Sequence, residues 1–184
     1  MRIIAGQWRG ITLASLGKGD ATAHLRPTSD RVRESLFSML TSYGVIEGAR
    51  VLDLFAGTGA LGLEALSRGA EHAVMVENGR VAQKLISQNL EKLRVDNQVQ
   101  LLRRDATKIG EWGEAPFDLI FLDPPYGRGM GQKALEAAAT GGWLAKGAVI
   151  VWEESSQMAE PAGFTFDDHR KYGDTHVTLL EFEG

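Results

Sequence analysis

From residue 50 onward, short apolar runs alternate with helical stretches, and the first junction between them reads DLFAGTGALG. The runs RVLDLF, HAVMVE, VQLLRRDA, FDLIFLD and AVIVWEE have strand length and strand composition. Between them, ALGLEALSRG reads as a helix ending at Gly69, RVAQKLISQNLEKL as a helix with Val81, Leu85 and Ile86 on one face, and GQKALEAAA as a third. Strands that are apolar throughout and separated by helices build βαβ units around a buried parallel sheet. The tail FTFDDHRKYGDTHVTLLEFE changes pattern, with two strands around KYGD, and predicts a hairpin antiparallel to part of that sheet. The expected class is α/β: a Rossmann-like, mostly parallel twisted sheet with a C-terminal antiparallel hairpin.

The N-terminal end lies outside the alternation. RIIAGQWRGITLASL predicts a β-hairpin around a glycine-bounded turn. RPTSDRVRESLFSML predicts a helix capped by Thr28 or Ser29, with Asp30 in its first turn and Val32, Leu36, Met39, Leu40 and Tyr43 as its apolar face. No linker is visible. A single domain over 1–184 is expected, with 1–44 as a hairpin and helix appendage and 45–184 as the core.

The 184 residues are 43% hydrophobic, enough for a full core, and include no cysteine, which excludes disulfides and thiolate-ligated zinc. MRIIAGQWRG has no apolar targeting region and no run reaches membrane-spanning length, so a soluble cytoplasmic protein is expected. The net charge of −4 is unevenly placed: residues 1–33 carry six basic and two acidic side chains, residues 151–184 two basic and eight acidic. Such asymmetry can mark a surface that faces a polyanion, or simply a solvated charged face.

Gly57, Gly59 and Gly62 fit the G-x-G-x-x-G spacing of a nucleotide-binding loop, and Glu77 closes the next strand 20 residues after Gly57. Taken alone, the glycines could instead serve close helix packing. Asp53 narrows the choice of cofactor. A carboxylate on the buried strand beneath the loop would repel a pyrophosphate and attract the ammonium and sulfonium of S-adenosylmethionine (AdoMet), unless loop N–H groups satisfy it. Asp105 ends the third strand, where it could accept from an adenine amine or cap the turn that follows.

FLDPPYGRG ends the fourth strand at the sheet's carboxyl edge, where ligands of such folds bind. Prolines offer carbonyls and no N–H. An exocyclic amine could donate to the Asp123 carboxylate and the Pro124 carbonyl while Tyr126 stacks on its ring. An aromatic amine is a poor nucleophile because its lone pair is delocalised. Two acceptors on its hydrogens favour a pyramidal nitrogen and aim that lone pair at a methyl donor. A paired base would have to be flipped out to enter.

DLFAGTGALGLEAL followed by DPPY resembles the class I, Rossmann-like methyltransferases of exocyclic amines. RIIAGQWRG and LRPTSDRVRESLF make the chain similar to the RsmD family of bacterial 16S ribosomal RNA guanine-N2 methyltransferases, over nearly its whole length. The resemblance implies AdoMet as cofactor, held by Asp53, Phe55, Gly57, Thr58, Gly59, Glu77 and Asp105. It implies catalysis by Asp123, Pro124 and Tyr126, and 16S rRNA as partner, within a small ribosomal subunit or an assembly intermediate; the oligomeric state stays open, with a monomer as the default expectation. Asn78, Gly79 and Arg80 depart from the family's usual residues after the ribose-binding acid.

The basic N-terminal segment is expected beside the carboxyl edge, with Arg2, Arg9, Arg26 and Arg128 reaching RNA phosphates, and with Arg31 or Arg33 turned instead to the cofactor carboxylate. Trp8 is expected to pack the hairpin onto the domain. His24, His72, His169 and His176 show no metal-ligand spacing, and no metal is expected. Two other functions remain on these residues: a DNA adenine-N6 methyltransferase, which would ordinarily carry a target-recognition insert, and a noncatalytic nucleic-acid binding module.

Overall fold

The computed structural model describes residues 1–16 and 28–184. The helix α1 (Asp30–Ser42) is followed by alternating elements: β1 (Arg50–Leu54), α2 (Ala60–Ser67), β2 (His72–Val76), α3 (Arg80–Leu93), β3 (Val99–Leu102), β4 (Phe117–Leu122), α4 (Met130–Thr140) and β5 (Leu144–Glu154). The hairpin β6 (Phe164–Tyr172) and β7 (Thr175–Phe182) closes the chain. They form one seven-stranded sheet in the order β3-β2-β1-β4-β5-β7-β6. β1 to β5 are parallel, and β7 pairs antiparallel with both β5 and β6.

The order reverses between β1 and β4. The helix after β1 and the helix after β4 therefore cover opposite faces. Leu36 and Phe37 of α1, Leu63 of α2 and Ile86 of α3 join Val51, Met75 and Phe121 in one core layer. Ala134 and Leu135 of α4 join Leu52, Val74, Ile120 and Trp152 in the other. Alternate strand residues feed the two layers, as the two-residue period of a strand requires. The divergence of the two crossovers leaves a cleft at the carboxyl ends of β1 and β4, where ligands of open α/β sheets bind.

The expected N-terminal hairpin is a loop closed by backbone pairing around one bridge, Arg2↔Thr12, rather than two regular strands. Besides backbone bonds across the loop, such as Ile3 N–H to Ile11 O at 2.9 Å, further hydrogen bonds go to the helices beneath it. Ile4 and Ala5 donate their N–H to the buried Glu64 carboxylate at 2.8 and 3.1 Å, and Trp8 N–H donates to Ser67 Oγ at 3.0 Å. Ala14 N–H donates to Asn89 Oδ1 at 2.6 Å. Trp8 packs against the core, as expected.

Two helix faces are rotated from their expected positions. On α1 the buried residues are Arg33, Leu36, Phe37 and Leu40, while Tyr43 is exposed. On α3 they are Ala82, Ile86, Asn89, Leu90 and Leu93, while Val81 stands half-exposed. In both cases a polar residue, Arg33 or Asn89, sits inside and hydrogen-bonds the backbone of the N-terminal segment.

Candidate active site

The cleft encloses about 1010 Å³. Asp53, Phe55, Gly57, Thr58 and Glu77 line it from the ends of β1 and β2; Asp123, Pro124, Tyr126 and Arg128 line it from the end of β4. The two motifs, 66 residues apart when counted from Gly57 to Asp123, thus share one cavity because β1 and β4 are neighbours in the sheet.

The glycine loop starts with a reversal at Phe55, whose φ of 63° is left-handed and uncommon for a residue with a Cβ. Gly59, at φ 77°, is the N-cap of α2, where a left-handed backbone suits glycine. Glu77 fastens this loop to the next strand. Its Oε2 accepts from Gly57 N–H at 2.9 Å and its Oε1 from Gly79 N–H at 2.7 Å. Each oxygen keeps a further lone pair for a ligand hydroxyl. Beyond Glu77, where Asn78, Gly79 and Arg80 were unusual, Val81 brings an apolar surface to the cleft from the first turn of α3.

Asp53 is buried beneath the loop, and its Oδ2 accepts from Gly62 N–H at 3.0 Å. Burial, opposed by that hydrogen bond and reinforced by Glu77 and Glu153, pushes its carboxyl up to about 7. Glu153, at the end of β5, is also buried, with the Thr28 hydroxyl donating to its Oε2 at 3.2 Å. Burial raises it to about 7 against that single hydrogen bond. Asp123 stands between them in the sheet. Burial first, then the charges of Glu153, Asp53 and Glu154, push its carboxyl well above the ordinary carboxylate range. This concentration of acids at one sheet edge is an environment for a cationic ligand.

The loop after Asp123 is pinned from the neighbouring strand. Glu154 accepts from Gly127 N–H at 3.0 Å and from Ser155 N–H at 2.8 Å, and the Tyr126 hydroxyl lies 3.4 Å from Thr175 Oγ1. The Tyr126 ring is thereby held at the cleft wall with its hydroxyl turned toward β7.

Several expected residues fall elsewhere. Asp105 caps the 3-10 turn after β3: the hydroxyl and the N–H of Thr107 donate to its Oδ1 at 2.7 and 2.8 Å, and hold its carboxyl below the usual range. It does not line the cleft. The ends of the N-terminal loop reach the cleft through Met1, Ser15 and Leu16, but its tip does not. Gln7 N–H donates to Ser67 O at the last turn of α2, so Arg9 sits at the far end of that helix from the cleft. The expectation that the whole loop borders the carboxyl edge is corrected accordingly. Arg2 is exposed and paired with Asp30 at 3.5 Å, and Arg128 is exposed on the rim. Arg26 and His24 lie outside the described residues. His169 and His176, apart in sequence, meet across β6 and β7 with Nε2 and Nδ1 2.8 Å apart.

Sequence reasoning missed Glu153, Glu154 and the burial of Arg33. The signal for the two acids was present: AVIVWEE ends an apolar strand with two carboxylates, as FLD does next to it. The burial of Arg33 carried no such signal, since the Arg2 carbonyl that accepts from it is remote in sequence.

The family model described as "Conserved hypothetical protein 95" matches residues 1–181. The ribosomal RNA small subunit methyltransferase D of Escherichia coli (strain K12) is 37% identical over 186 residues, covering 100% of this chain and 90% of that protein. Its Haemophilus influenzae namesake is 35% identical, over 98% of this chain and 93% of that protein. The solved structure of Escherichia coli yhhF superposes with a TM-score of 0.83 at 36% identity, over 100% of this chain and 98% of that one. Thermus thermophilus TrmN, at 22% identity and a TM-score of 0.64 over 82% of this chain and 48% of its own, shares the fold. By sequence along its full length and by architecture, the chain belongs to the conserved hypothetical protein 95 family, that of the ribosomal RNA small subunit methyltransferase D proteins.

Proposed function

We propose that the chain methylates the exocyclic N2 amine of a guanine in small-subunit ribosomal RNA, with AdoMet as methyl donor. The observation that carries this reading is the shared cavity: the glycine loop with Glu77 and the Asp123–Tyr126 corner line one cleft. The residues fit an AdoMet molecule. Glu77 has acceptor capacity for ribose hydroxyls, Phe55 and Val81 offer apolar surface for adenine, and Asp53 with its neighbouring acids suits the cationic end. Bound there, AdoMet would supply an electrophilic methyl group.

The chain's own part is to hold and orient the guanine. Asp123 and the Pro124 carbonyl accept the two N2 hydrogens, and the Tyr126 ring stacks on the base. Fixing the amine in this way converts the transfer into an oriented in-line displacement. A base inside a duplex would have to be flipped out to reach the corner between the loops after β1 and β4. Relatives named as small-subunit rRNA methyltransferases support RNA over DNA as the substrate class. None of the described helices is long and apolar enough to cross a membrane, compatible with work on ribosomal RNA in the cytoplasm.

The test is to offer radiolabelled AdoMet with 16S rRNA, small ribosomal subunits and duplex DNA in parallel. Label in N2-methylguanine of the RNA or subunit samples is expected. Label only in DNA adenine would replace this reading by the adenine-N6 one.

A further inference from the structure

We infer that Arg33 anchors the carboxylate of the methyl donor's methionine moiety. This rests on the reading of the cleft as an AdoMet site.

Arg33 belongs to the first turn of α1 and is fully buried. Its Nη2 donates to the Arg2 carbonyl at 2.6 Å and to Asp30 Oδ1 at 2.7 Å. Its Nε and Nη1 are buried and have no partner among the described residues. A guanidinium carries five N–H donors, so the three on Nε and Nη1 are unmatched. Buried donors left without an acceptor cost free energy that a ligand can relieve. Arg33 lines the same cleft as Asp53, Thr58 and Glu77.

The charge layout selects the ligand group. The inner sheet edge is acidic, with Asp53, Asp123 and Glu153 at the ends of β1, β4 and β5. Crowding and burial hold these groups toward their neutral forms, and a cation beside them, not an anion, favours their ionisation. Two other arginines line the cleft, Arg80 and Arg128, and both are exposed. Arg33 is the buried cation among the described lining residues. AdoMet has one anionic group, its carboxylate, beside an ammonium and a sulfonium. A zwitterion placed with its cations toward the acids and its carboxylate on Arg33 satisfies both sides of the cleft. Arg31, the other candidate on the helix, is exposed and lines a separate groove between α1 and β6.

This arrangement links cofactor binding to the N-terminal loop. The carbonyl of Arg2 and the carboxylate of Asp30 hold the guanidinium in place, and Arg2 pairs with Asp30 as well. Charge-assisted bonds of this kind are the strong ones, and a lysine cannot reproduce the planar donor array.

Four ligands separate this role from a structural one by calorimetry on the intact chain: AdoMet, S-adenosylhomocysteine, decarboxylated AdoMet and 5′-methylthioadenosine. The first two carry the carboxylate and the last two lack it. The wild-type chain is expected to bind AdoMet about 10- to 100-fold more tightly than decarboxylated AdoMet. Arg33→Gln should close that gap while leaving the affinity for 5′-methylthioadenosine unchanged, and Arg33→Lys should close it in part. Equal wild-type affinity for AdoMet and its decarboxylated form overturns the assignment without any variant. Arg33→Gln weakening all four ligands alike also overturns it, and makes Arg33 a strut between α1 and the N-terminal loop. If wild type binds none of the four, the AdoMet reading of the cleft itself fails.

Discussion

Asp123 and Glu153 stand one residue beyond the paired positions Leu122↔Trp152, on adjacent parallel strands, and each is held toward its neutral form. Both have folded pKa values above their unfolded ones, as does Asp53. The folded state therefore binds more protons than the unfolded state as pH rises from the ordinary carboxylate range to about 7. Stability is fully present below that window and is lost across it, by up to about 1.4 kcal/mol per pH unit for each proton. Glu153→Gln removes one of these groups while leaving an acceptor for the Thr28 hydroxyl. In urea unfolding the variant should match wild type near pH 4.5 and exceed it at pH 8, with a flatter dependence between. A steeper dependence in the variant would show that Glu153 is not the strained group.

Glu77 has a double role, which sharpens what its removal should do. It fixes Gly57 and Gly79 as well as offering acceptors to a ribose. Glu77→Ala should weaken AdoMet binding by about 1–3 kcal/mol in calorimetry. Glu77→Gln keeps one acceptor for a loop N–H and should fall between. Unchanged affinity in both variants would remove Glu77 from the cofactor site.

Asp123→Ala should abolish methyl transfer while AdoMet still binds, because its carboxylate is assigned to the target amine and the loss falls on the chemical step. Near-normal turnover would sink the mechanism. Tyr126→Phe should be mild and Tyr126→Ala severe, since stacking uses the ring. The hydroxyl contact with Thr175 adds a control: Thr175→Val should resemble Tyr126→Phe.

The N-terminal loop depends on Gly6. Its φ is 82°, and a Cβ there would lie 1.7 Å from the Ser67 carbonyl oxygen, a backbone atom that cannot step aside. Gly6→Ala should lift the loop from α2 and destabilise the chain by roughly 1–3 kcal/mol. Limited proteolysis should then cut before residue 16 faster than in wild type. If Arg33 is held by the Arg2 carbonyl as described, AdoMet affinity should fall as well. A variant as stable and as resistant as wild type would mean that the loop is not docked as described.

The order of elements was legible because burial writes its period into the sequence: apolar strands, then helices, then the change of pattern at KYGD. The site was legible where a motif sits at a strand end, as with Gly57 and Asp123. It was not legible where partners are remote in sequence. The choice between Arg31 and Arg33 and the burial of Asn89 could not be read, because the Arg2 and Ala14 backbone groups that hold Arg33 and Asn89 lie far off in sequence, and Val81 reads as core although it faces the cleft. Asp105 left two uses open in the sequence, and the Thr107 hydroxyl and N–H show it capping its own turn.

The placement of the arginines changes what RNA binding should look like. Arg128 stands exposed on the rim of the cleft beside Tyr126, whereas Arg9 sits at the other end of α2, an eight-residue helix about 12 Å long. Phosphates flanking a flipped guanine lie next to the corner that holds the base. Arg128→Ala should therefore weaken RNA binding and lower its salt slope by roughly one unit, without altering the affinity for AdoMet. Arg2, exposed near the cleft and shared with Asp30, should contribute less, because part of its charge is already answered. Arg9→Ala should leave the slope unchanged if the RNA contacts only the rim. Filter binding from low to moderate salt distinguishes the two positions. A flattened slope in Arg9→Ala with a silent Arg128→Ala would place the RNA along the N-terminal loop instead, running over the end of α2.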